Sequence, residues 1–193
     1  KKYEGYIFDL DGTLVDSMPL HYRAWREALA RAGAPDHVFR ADEFYSCGGK
    51  SANDVVRFLN ERYGMHMDAA STAADKRRIY LEMLEKEGMQ PIREVVEFVH
   101  SLGDAPKAIA TGSAMPGASR TLAAAGLSGL FDVILTPDEV EHGKPAPDMF
   151  LKAAELLGVS PDRCVVFEDA EPGMKAAAAA GMDCVQVRRP SLA

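Results

Sequence analysis

The sequence predicts an α/β fold, in which a Rossmann-like parallel sheet carries an inserted α-helical cap domain. Five short apolar runs are continuous rather than alternating, as in strands of a parallel sheet covered on both faces. A helix-like stretch precedes each of the last four runs, as expected when helices connect the strands of a parallel sheet. A long helical segment without any strand separates the first run from the second, and it accounts for the cap.

The predicted strands are expected to be buried, and they comprise residues 6–8, 108–110, 133–135, 165–167 and 185–187. The helices predicted between them comprise residues 92–101, 118–125, 147–157 and 173–180. Three of these helices are followed directly by a glycine, Gly126, Gly158 or Gly181. Glycine just beyond a helix end is typical of a left-handed C-cap, which supports the predicted helix ends.

The segment between the first two strands is too long for a single crossover. It contains three helical patterns, at residues 20–32, 52–63 and 73–87. A crossover between parallel strands needs only one helix, so the segment is interpreted as an insertion. We therefore predict a Rossmann-like core made of residues 1–17 and 88–193, and an inserted helical cap of residues 18–87.

Composition and charge narrow the class of protein. The 193 residues carry a net charge of −7, which does not fit the basic surface of a nucleic-acid-binding protein. No apolar run is long enough for a membrane span or a signal peptide. The three cysteines, Cys47, Cys164 and Cys184, are odd in number and unrelated in spacing, which favours a reduced protein. Cys164 and Cys184 begin apolar runs, so we expect these two to be buried thiols and not metal ligands. We expect a cytoplasmic protein that binds neither nucleic acid nor membranes.

Polar residues follow the predicted strands at the points where a parallel sheet binds its ligands. Ligand sites of such sheets lie beyond the carboxyl ends of the strands. The residues in these positions are carboxylates, a hydroxyl–glycine turn and one lysine: Asp9, Asp11, Thr111, Gly112, Ser113, Lys144, Glu168 and Asp169. Each feature alone has an ordinary structural explanation, as a turn, a helix start or a solvated side chain. Their occurrence after successive strands indicates one common site.

This set of side chains suggests phosphoryl transfer. Four converging carboxylates would repel each other unless a cation lay among them, and oxygen-only ligands suit Mg²⁺. The Thr111-Gly112-Ser113 turn enters a helix, so its backbone N–H groups and hydroxyls could bind an anion. Lys144 would add a positive charge for the same anion. A metal, an anion site and a free carboxylate together favour phosphate ester chemistry.

The motifs resemble those of the haloacid dehalogenase-like (HAD) hydrolase superfamily over nearly the whole chain. "FDLDGT", "AIATGS", "HGKPAPDMF" and "VVFEDAEPGMKAAAAAGM" are similar to its four motifs in order and spacing. The helical insertion resembles the cap of the β-phosphoglucomutase-like subfamily. Within that subfamily the chain is most similar to phosphatases that act on fructose 1-phosphate or 6-phosphogluconate, and the resemblance implies the HAD fold and a monomer.

The resemblance also implies roles for the strand-end residues. Asp9 would be the nucleophile that forms an aspartyl phosphate, and Asp11 the general acid and base. Thr111, Gly112, Ser113 and Lys144 would hold the phosphoryl group. Asp9, the backbone carbonyl of Asp11, Asp169 and Glu168 would bind Mg²⁺, with Glu168 a direct or an outer ligand. The implied function is Mg²⁺-dependent hydrolysis of a small sugar phosphate, a hexose or gluconate phosphate.

Five cap residues are candidates for substrate contact. His21 and Lys76 match cap positions of the family, although a helix-surface histidine and a solvated "KRR" face are the alternatives. Gly48, Lys50 and Ser51 lie in "SCGGKSAND", which matches the family's substrate-specificity loop. The "GGKS" in this stretch does not form a nucleotide-binding P-loop, because the leading glycine and the preceding strand are missing.

Three other activities remain as alternatives. The β-phosphoglucomutase places an arginine in the specificity loop where this chain has Ser51, which disfavours mutase activity. Haloacid dehalogenation would leave Asp11, Glu168 and Asp169 without a role. A catalytically silent sugar-phosphate-binding module is disfavoured because every acid of the motifs is retained.

Overall fold

The computed structural model describes residues 2–48 and 50–188. Its centre is a five-stranded parallel sheet with the strand order β3-β2-β1-β4-β5. The strands are β1 (Gly5–Phe8), β2 (Lys107–Ala110), β3 (Val133–Leu135), β4 (Cys164–Glu168) and β5 (Asp183–Gln186). The predicted α/β fold class is confirmed.

Helices cover both faces of the sheet. On one face α7 (Asp148–Leu157) packs against β1, β2 and β3, and α8 (Glu171–Ala179) packs against β4 and β5. On the other face Phe98 of α5 (Arg93–Ser101) contacts the rings of Tyr6 and Phe167. The remaining core helix is α6 (Met115–Ala124). This two-sided cover explains why β1, β2 and β4 have continuous apolar sequences.

Strand β1 lies in the middle of the sheet, between β2 and β4. Its residues Ile7 and Phe8 are fully buried and point to opposite faces, as alternation along a strand requires. Phe8 stacks on Phe167 of β4 with 4.6 Å between ring centroids, while Ile7 belongs to the core beneath α7 and α8. The central position brings the carboxyl end of β1 next to those of both neighbours.

The prediction that the fifth strand is buried is wrong. Val185 is 44% exposed, and Asp183 and Gln186 are exposed as well. The strand lies at the edge of the sheet and pairs with β4, so one of its sides has no hydrogen-bonded neighbour among the described residues. Apolar composition alone does not distinguish such an edge strand from a central one.

Contacts between residues divide the chain into two compact units. Among the described residues, one unit comprises residues 2–17 and 89–188, and the other comprises residues 18–48 and 50–88. The second unit is helical, with α4 packed against α1 and α3. Its helices are α1 (Met18–Arg31), α2 (Ala41–Ser46), α3 (Ala52–Tyr63) and α4 (Ala69–Glu87). The short α2 was not predicted, because in "ADEFYS" only Phe44 is buried and no helical periodicity results.

The two segments that flank the insertion lie side by side in the first unit. The N–H of Ile92 donates to the carbonyl of Leu14 at 2.8 Å, and the N–H of Asp16 donates to the carbonyl of Gln90 at 2.9 Å. The chain therefore leaves the core and returns to it at one place, directly after the residues of the first motif. Among the described helices none is both long enough and apolar enough to cross a membrane.

Candidate active site

Three carboxylates meet at the carboxyl edge of the sheet. Asp9 directly follows β1, Glu168 is the last residue of β4, and Asp169 comes next. One ligand oxygen from each lies within 4.8 Å of the others, and all three residues are buried. The adjacency of β1 and β4 produces this cluster, because their register pairs Phe8 with Phe167 immediately before the acids.

Lys144 supplies the positive charge within this cluster. Its ammonium nitrogen lies 2.7 Å from Oδ1 of Asp9 and 2.7 Å from Oε2 of Glu168. The same nitrogen lies 5.2 Å from the ring centre of Phe150, a fully buried residue of α7. A cation over an aromatic face at this distance is attracted by the ring. Lys144 is therefore fixed by two carboxylates and one ring.

Burial and mutual repulsion dominate the electrostatics of these groups. Burial raises the pKa of Asp9 well above its usual value, and the charges of Glu168, Asp169 and Asp11 raise it further. Lys144 opposes this rise. Burial lowers the pKa of Lys144, but the charges of Asp9 and Glu168 outweigh burial and raise it overall. Lys144 therefore stays protonated. It contacts two of the three clustered carboxylates, those of Asp9 and Glu168.

Glu168 and Asp169 are held by further hydrogen bonds. Oε1 of Glu168 accepts from the backbone N–H groups of Asp169 and Ala170, at 3.0 and 3.1 Å. Oδ1 of Asp169 accepts from the hydroxyl of Thr13 at 3.1 Å. Sequence analysis gave Thr13 no role, although it belongs to the "FDLDGT" motif and is fully buried.

Gly12 allows the first motif to pass close to Asp169. Its φ of +85° lies in the left-handed region that favours glycine. A Cβ placed on Gly12 would lie 2.6 Å from Oδ2 of Asp169. Glycine at this position thus has two roles. It adopts the positive φ of the turn, and it leaves room for the Asp169 carboxylate.

Asp11 occupies a different environment from Asp9. Its Oδ1 accepts from the hydroxyl of Ser17 at 2.5 Å, and its Oδ2 accepts from the hydroxyl of Ser113 at 2.6 Å. The group of potential metal ligands contains Asp9, Glu168 and Asp169, and the Asp11 side chain is not part of it. The two aspartates of the motif therefore lie in different environments, and two hydroxyl groups orient Asp11.

The turn after β2 is only partly arranged as an anion site. Gly112 is exposed, and nothing lies within 4 Å of the position where its Cβ would be. The N–H of Ser113 donates to Oγ1 of the buried Thr111 at 3.1 Å. Because the hydroxyl of Ser113 also donates to Asp11, this structure links the predicted phosphate-binding turn to the predicted acid–base residue.

In the helical unit, the structure brings His21 and Lys76 together. Nδ1 of His21 lies 2.8 Å from Nζ of Lys76, and the imidazole stacks on the Tyr80 ring with 4.1 Å between centroids. The Lys76 ammonium also lies over the rings of Trp25 and Tyr80. Lys76 is only 9% exposed. Of the "KRR" stretch, only Arg77 and Arg78 therefore lie on a solvated face.

The three loop residues have local contacts. Ser51 caps α3: its Oγ accepts from the N–H of Asp54 at 3.2 Å and donates to the Asp54 carboxylate at 2.6 Å. Lys50 is exposed, with its ammonium 5.6 Å from the ring centre of Phe58. The N–H of Gly48 donates to the carbonyl of Tyr45. The serine at the position of the mutase arginine is thus used to begin a helix.

The acidic cluster fits a hard divalent cation. Its donors are oxygens only, which suits Mg²⁺ better than metals that prefer nitrogen or sulfur ligands. Three buried carboxylates exceed the charge of Lys144, so a further positive charge would relieve their repulsion. A predicted magnesium site among these residues is therefore consistent with their chemistry.

The fold is an α/β parallel sheet, and buried carboxylates cluster at the carboxyl ends of its strands. The model of the haloacid dehalogenase-like hydrolase family matches residues 3–181. The chain belongs to this family, and it is a phosphoric monoester hydrolase.

Two curated relatives and one solved structure illustrate the relationship. Fructose-1-phosphate phosphatase YqaB of Escherichia coli (strain K12) is 39% identical over 189 residues, which cover 97% of this chain and 98% of that protein. Beta-phosphoglucomutase of Mycobacterium bovis is 34% identical and covers 91% and 77%. The crystal structure of CbbY from Rhodobacter sphaeroides in complex with phosphate superposes with a TM-score of 0.84, at 25% identity, over 96% of this chain and 86% of that chain.

Proposed function

We propose that this chain is a Mg²⁺-dependent phosphatase that hydrolyses a small sugar phosphate through an aspartyl phosphate on Asp9. The observation that carries the proposal is the contact of Lys144 with both Asp9 and Glu168, inside a cluster that also contains Asp169. The similarity to a fructose-1-phosphate phosphatase over almost the whole length of both chains supports the substrate class.

In the first step one carboxylate oxygen of Asp9 attacks the phosphorus of the substrate. The bond between phosphorus and the sugar oxygen breaks, and Asp11 gives its proton to that oxygen. In the second step a water molecule attacks the phosphorus of the aspartyl phosphate, and Asp11 takes a proton from this water. The bond between phosphorus and Asp9 then breaks, which releases inorganic phosphate and restores both carboxyl groups.

The different environments of the two aspartates support this division of roles. Asp9 lies among the candidate metal ligands and next to Lys144, where an ionised carboxylate is favoured once a cation is bound. Asp11 is held by the hydroxyl groups of Ser17 and Ser113, and a proton carrier must keep its side chain away from the metal.

The remaining core residues would bind the metal and the phosphoryl group. Asp9, the backbone carbonyl of Asp11, Glu168 and Asp169 would hold Mg²⁺, which supplies charge stabilisation for the phosphoryl oxygens. Thr111, Gly112, Ser113 and Lys144 would bind the phosphoryl group. The charges of Asp9 and Glu168 raise the pKa of Lys144, so its ammonium is available as a positive charge for the phosphoryl group.

The helical unit would select the sugar. His21 and Lys76 form one candidate group. Lys76 is only 9% exposed, and its ammonium is hydrogen-bonded to the imidazole of His21. Gly48, Lys50 and Ser51 form the other candidate group, in the loop between α2 and α3. We propose both groups as contacts for the part of the substrate that does not react.

A hexose-phosphate mutase is the second candidate, because a β-phosphoglucomutase is among the relatives. A mutase must hold a second phosphate while the first is transferred. Ser51 stands where the mutase resemblance has an arginine, and its side chain is engaged in capping α3. This capping role favours hydrolysis over transfer to a second substrate oxygen.

Release of inorganic phosphate from a panel of sugar phosphates tests the proposal and separates it from the alternative. The phosphatase is expected to release phosphate from fructose 1-phosphate or a related ester only when Mg²⁺ is present. A mutase would instead convert β-glucose 1-phosphate to glucose 6-phosphate without net phosphate release. Binding of the esters without either reaction would contradict both activities and indicate a silent binding module.

A further inference from the structure

Gly173 lies against the side chain of Glu168. It is the third residue of α8 and is buried, and its φ is one that any L-residue adopts. A Cβ on Gly173 would lie 1.9 Å from Oε2, 2.1 Å from Cδ and 2.4 Å from Cγ of Glu168. The backbone conformation at position 173 therefore does not require glycine. Glycine is required because any Cβ would overlap the side chain of Glu168.

Glu168 cannot give way cheaply to a side chain at position 173. The clash includes Cγ, so a rotation of the terminal carboxylate alone would not relieve it. Turning the whole side chain would break the contact with Lys144 and both hydrogen bonds from the N–H groups of Asp169 and Ala170. A buried carboxylate that loses its partners is costly, which makes the clash a real constraint.

We propose that Gly173 is a positioning residue for Glu168. The missing side chain at position 173 leaves room for the Glu168 carboxylate to lie beside Lys144, within reach of Asp9 and Asp169. Any larger residue turns this carboxylate away and weakens the cation site. The effect on the cation rests on the proposed function, whereas the collision with Glu168 does not.

The chain contains a matched control for this proposal. Helix α6 begins with Met115-Pro116-Gly117 and helix α8 begins with Glu171-Pro172-Gly173, so both glycines are third in their helices and follow a proline. Nothing lies within 4 Å of a Cβ placed on Gly117. Gly117→Ala thus makes the same glycine-to-alanine change at the same helix position, but without a steric clash.

A double-mutant cycle in urea tests the collision without metal or substrate. Gly173→Ala is expected to lower the urea midpoint of the wild type. In a Glu168→Ala background the same substitution is expected to raise the midpoint, because alanine is more stable than glycine inside a helix. Gly117→Ala should raise the midpoint in both backgrounds. Equal shifts by Gly173→Ala in both backgrounds would overturn the proposal.

The same cycle remains informative if a variant does not fold. Should Gly173→Ala alone be unfolded, recovery of a folded protein in the double variant supports the collision. A double variant that is still unfolded contradicts it, provided that Glu168→Ala alone is folded.

Calorimetric titration with Mg²⁺ tests the consequence for the cation site. Gly173→Ala is expected to weaken Mg²⁺ binding about tenfold or more, the usual size of effect for residues that orient metal ligands. Gly117→Ala should bind Mg²⁺ as the wild type does. Unchanged binding in Gly173→Ala contradicts the positioning role. A wild type that does not bind Mg²⁺ would instead refute the proposed function, and the urea cycle would still decide whether Gly173 makes room for Glu168.

Discussion

The ammonium nitrogen of Lys144 lies 2.7 Å from Oδ1 of Asp9, although 135 positions separate the two residues in the chain. Both side chains are buried, with exposures of 7% and 10%. The pair joins the end of the central strand to the loop before α7 and links the first motif to the third. It also places the one lysine of the cluster on the residue that we propose as the nucleophile.

Removal of this lysine is expected to destabilise the protein. Lys144→Met leaves Asp9 and Glu168 buried without their cation, and loss of one partner of a buried pair typically costs about 3–5 kcal/mol. Urea unfolding in the absence of Mg²⁺ measures this loss. Lys152→Met is the control, because Lys152 forms an exposed pair with Glu155 that is worth about 1 kcal/mol or less. A Lys144→Met variant as stable as the control would show that the pair is not important for folding.

Magnesium is expected to raise the melting temperature of the protein in a concentration-dependent way. Binding to the folded state alone stabilises it by mass action, and the three clustered carboxylates supply the ligands. Asp169→Asn should reduce this shift strongly, while Asp104→Asn, at an exposed position, should retain it. Thermal unfolding with and without EDTA provides the measurement. An equal Mg²⁺ shift in both variants would place the cation elsewhere.

The hydroxyl groups that orient Asp11 are expected to contribute to turnover. Ser17→Ala and Ser113→Ala each remove one hydrogen bond to this carboxylate. We expect kcat to fall about tenfold in each, since a hydrogen bond to a charged group contributes about 1.5–3 kcal/mol. Steady-state kinetics checks this, with Ser101→Ala as the control because its exposed hydroxyl donates to the carbonyl of Phe98, away from the carboxylate cluster. Wild-type kcat in both variants would mean that Asp11 does not depend on these hydroxyls.

Lys76 is expected to affect substrate affinity and not the chemical step. Lys76→Met should raise KM for the sugar phosphate about tenfold, the loss expected for one hydrogen bond from a charged group. The kcat for p-nitrophenyl phosphate, which has no sugar, should change little. Arg77→Met serves as the control, because Arg77 follows Lys76 in the chain but is exposed. A fall in kcat for both substrates without any change in KM would argue against a role of Lys76 in sugar selection.

The thiols of Cys164, which is buried, and of Cys184, which is only half-buried and not buried as predicted, are expected to react slowly. Burial raises the pKa of Cys164 and of Cys184 to about 11, with a smaller contribution from Asp162 for Cys164 and from Glu168 for Cys184. Because the thiolate is the reactive form, alkylation by iodoacetamide near pH 8 should be slow in the folded protein and should accelerate in urea. Mass spectrometry of quenched samples follows the modification at each cysteine. Rapid labelling of Cys164 in the folded protein would contradict its burial.

Local signals account for most of what the sequence predicted correctly. The third strand and α3 were predicted with the bounds that the structure has, because a short apolar run and a helical pattern are properties of neighbouring residues. The predicted limits of the insertion, 18 and 87, lie beside those of the helical unit, Met18–Gly88. The exposure of β5 depends on strand order, which no local pattern contains.

The site shows the same division between local and long-range information. Because these acids lie at the ends of predicted parallel strands, the sequence indicated that Asp9, Glu168 and Asp169 share one edge of the sheet. Their contact depends in addition on the adjacency of β1 and β4. The contacts of Thr13 and Ser17 depend on how the loop after β1 folds, and that of Gly173 on how α8 packs beside Glu168, so no spacing could predict them. The burial of Lys76 had a signal that was overlooked, since the lysine shares the spacing of the buried residues Ala73, Tyr80 and Leu84 on α4.

Turnover of fructose 1-phosphate by the wild type and by Asp9→Asn, with mass spectrometry of acid-quenched enzyme, tests the central claim most directly. The account predicts Mg²⁺-dependent phosphate release by the wild type, a transient phosphoryl group on the peptide that contains Asp9, and loss of both in Asp9→Asn. Phosphate release by Asp9→Asn at the wild-type rate would contradict it, as would a phosphoryl group on any other residue.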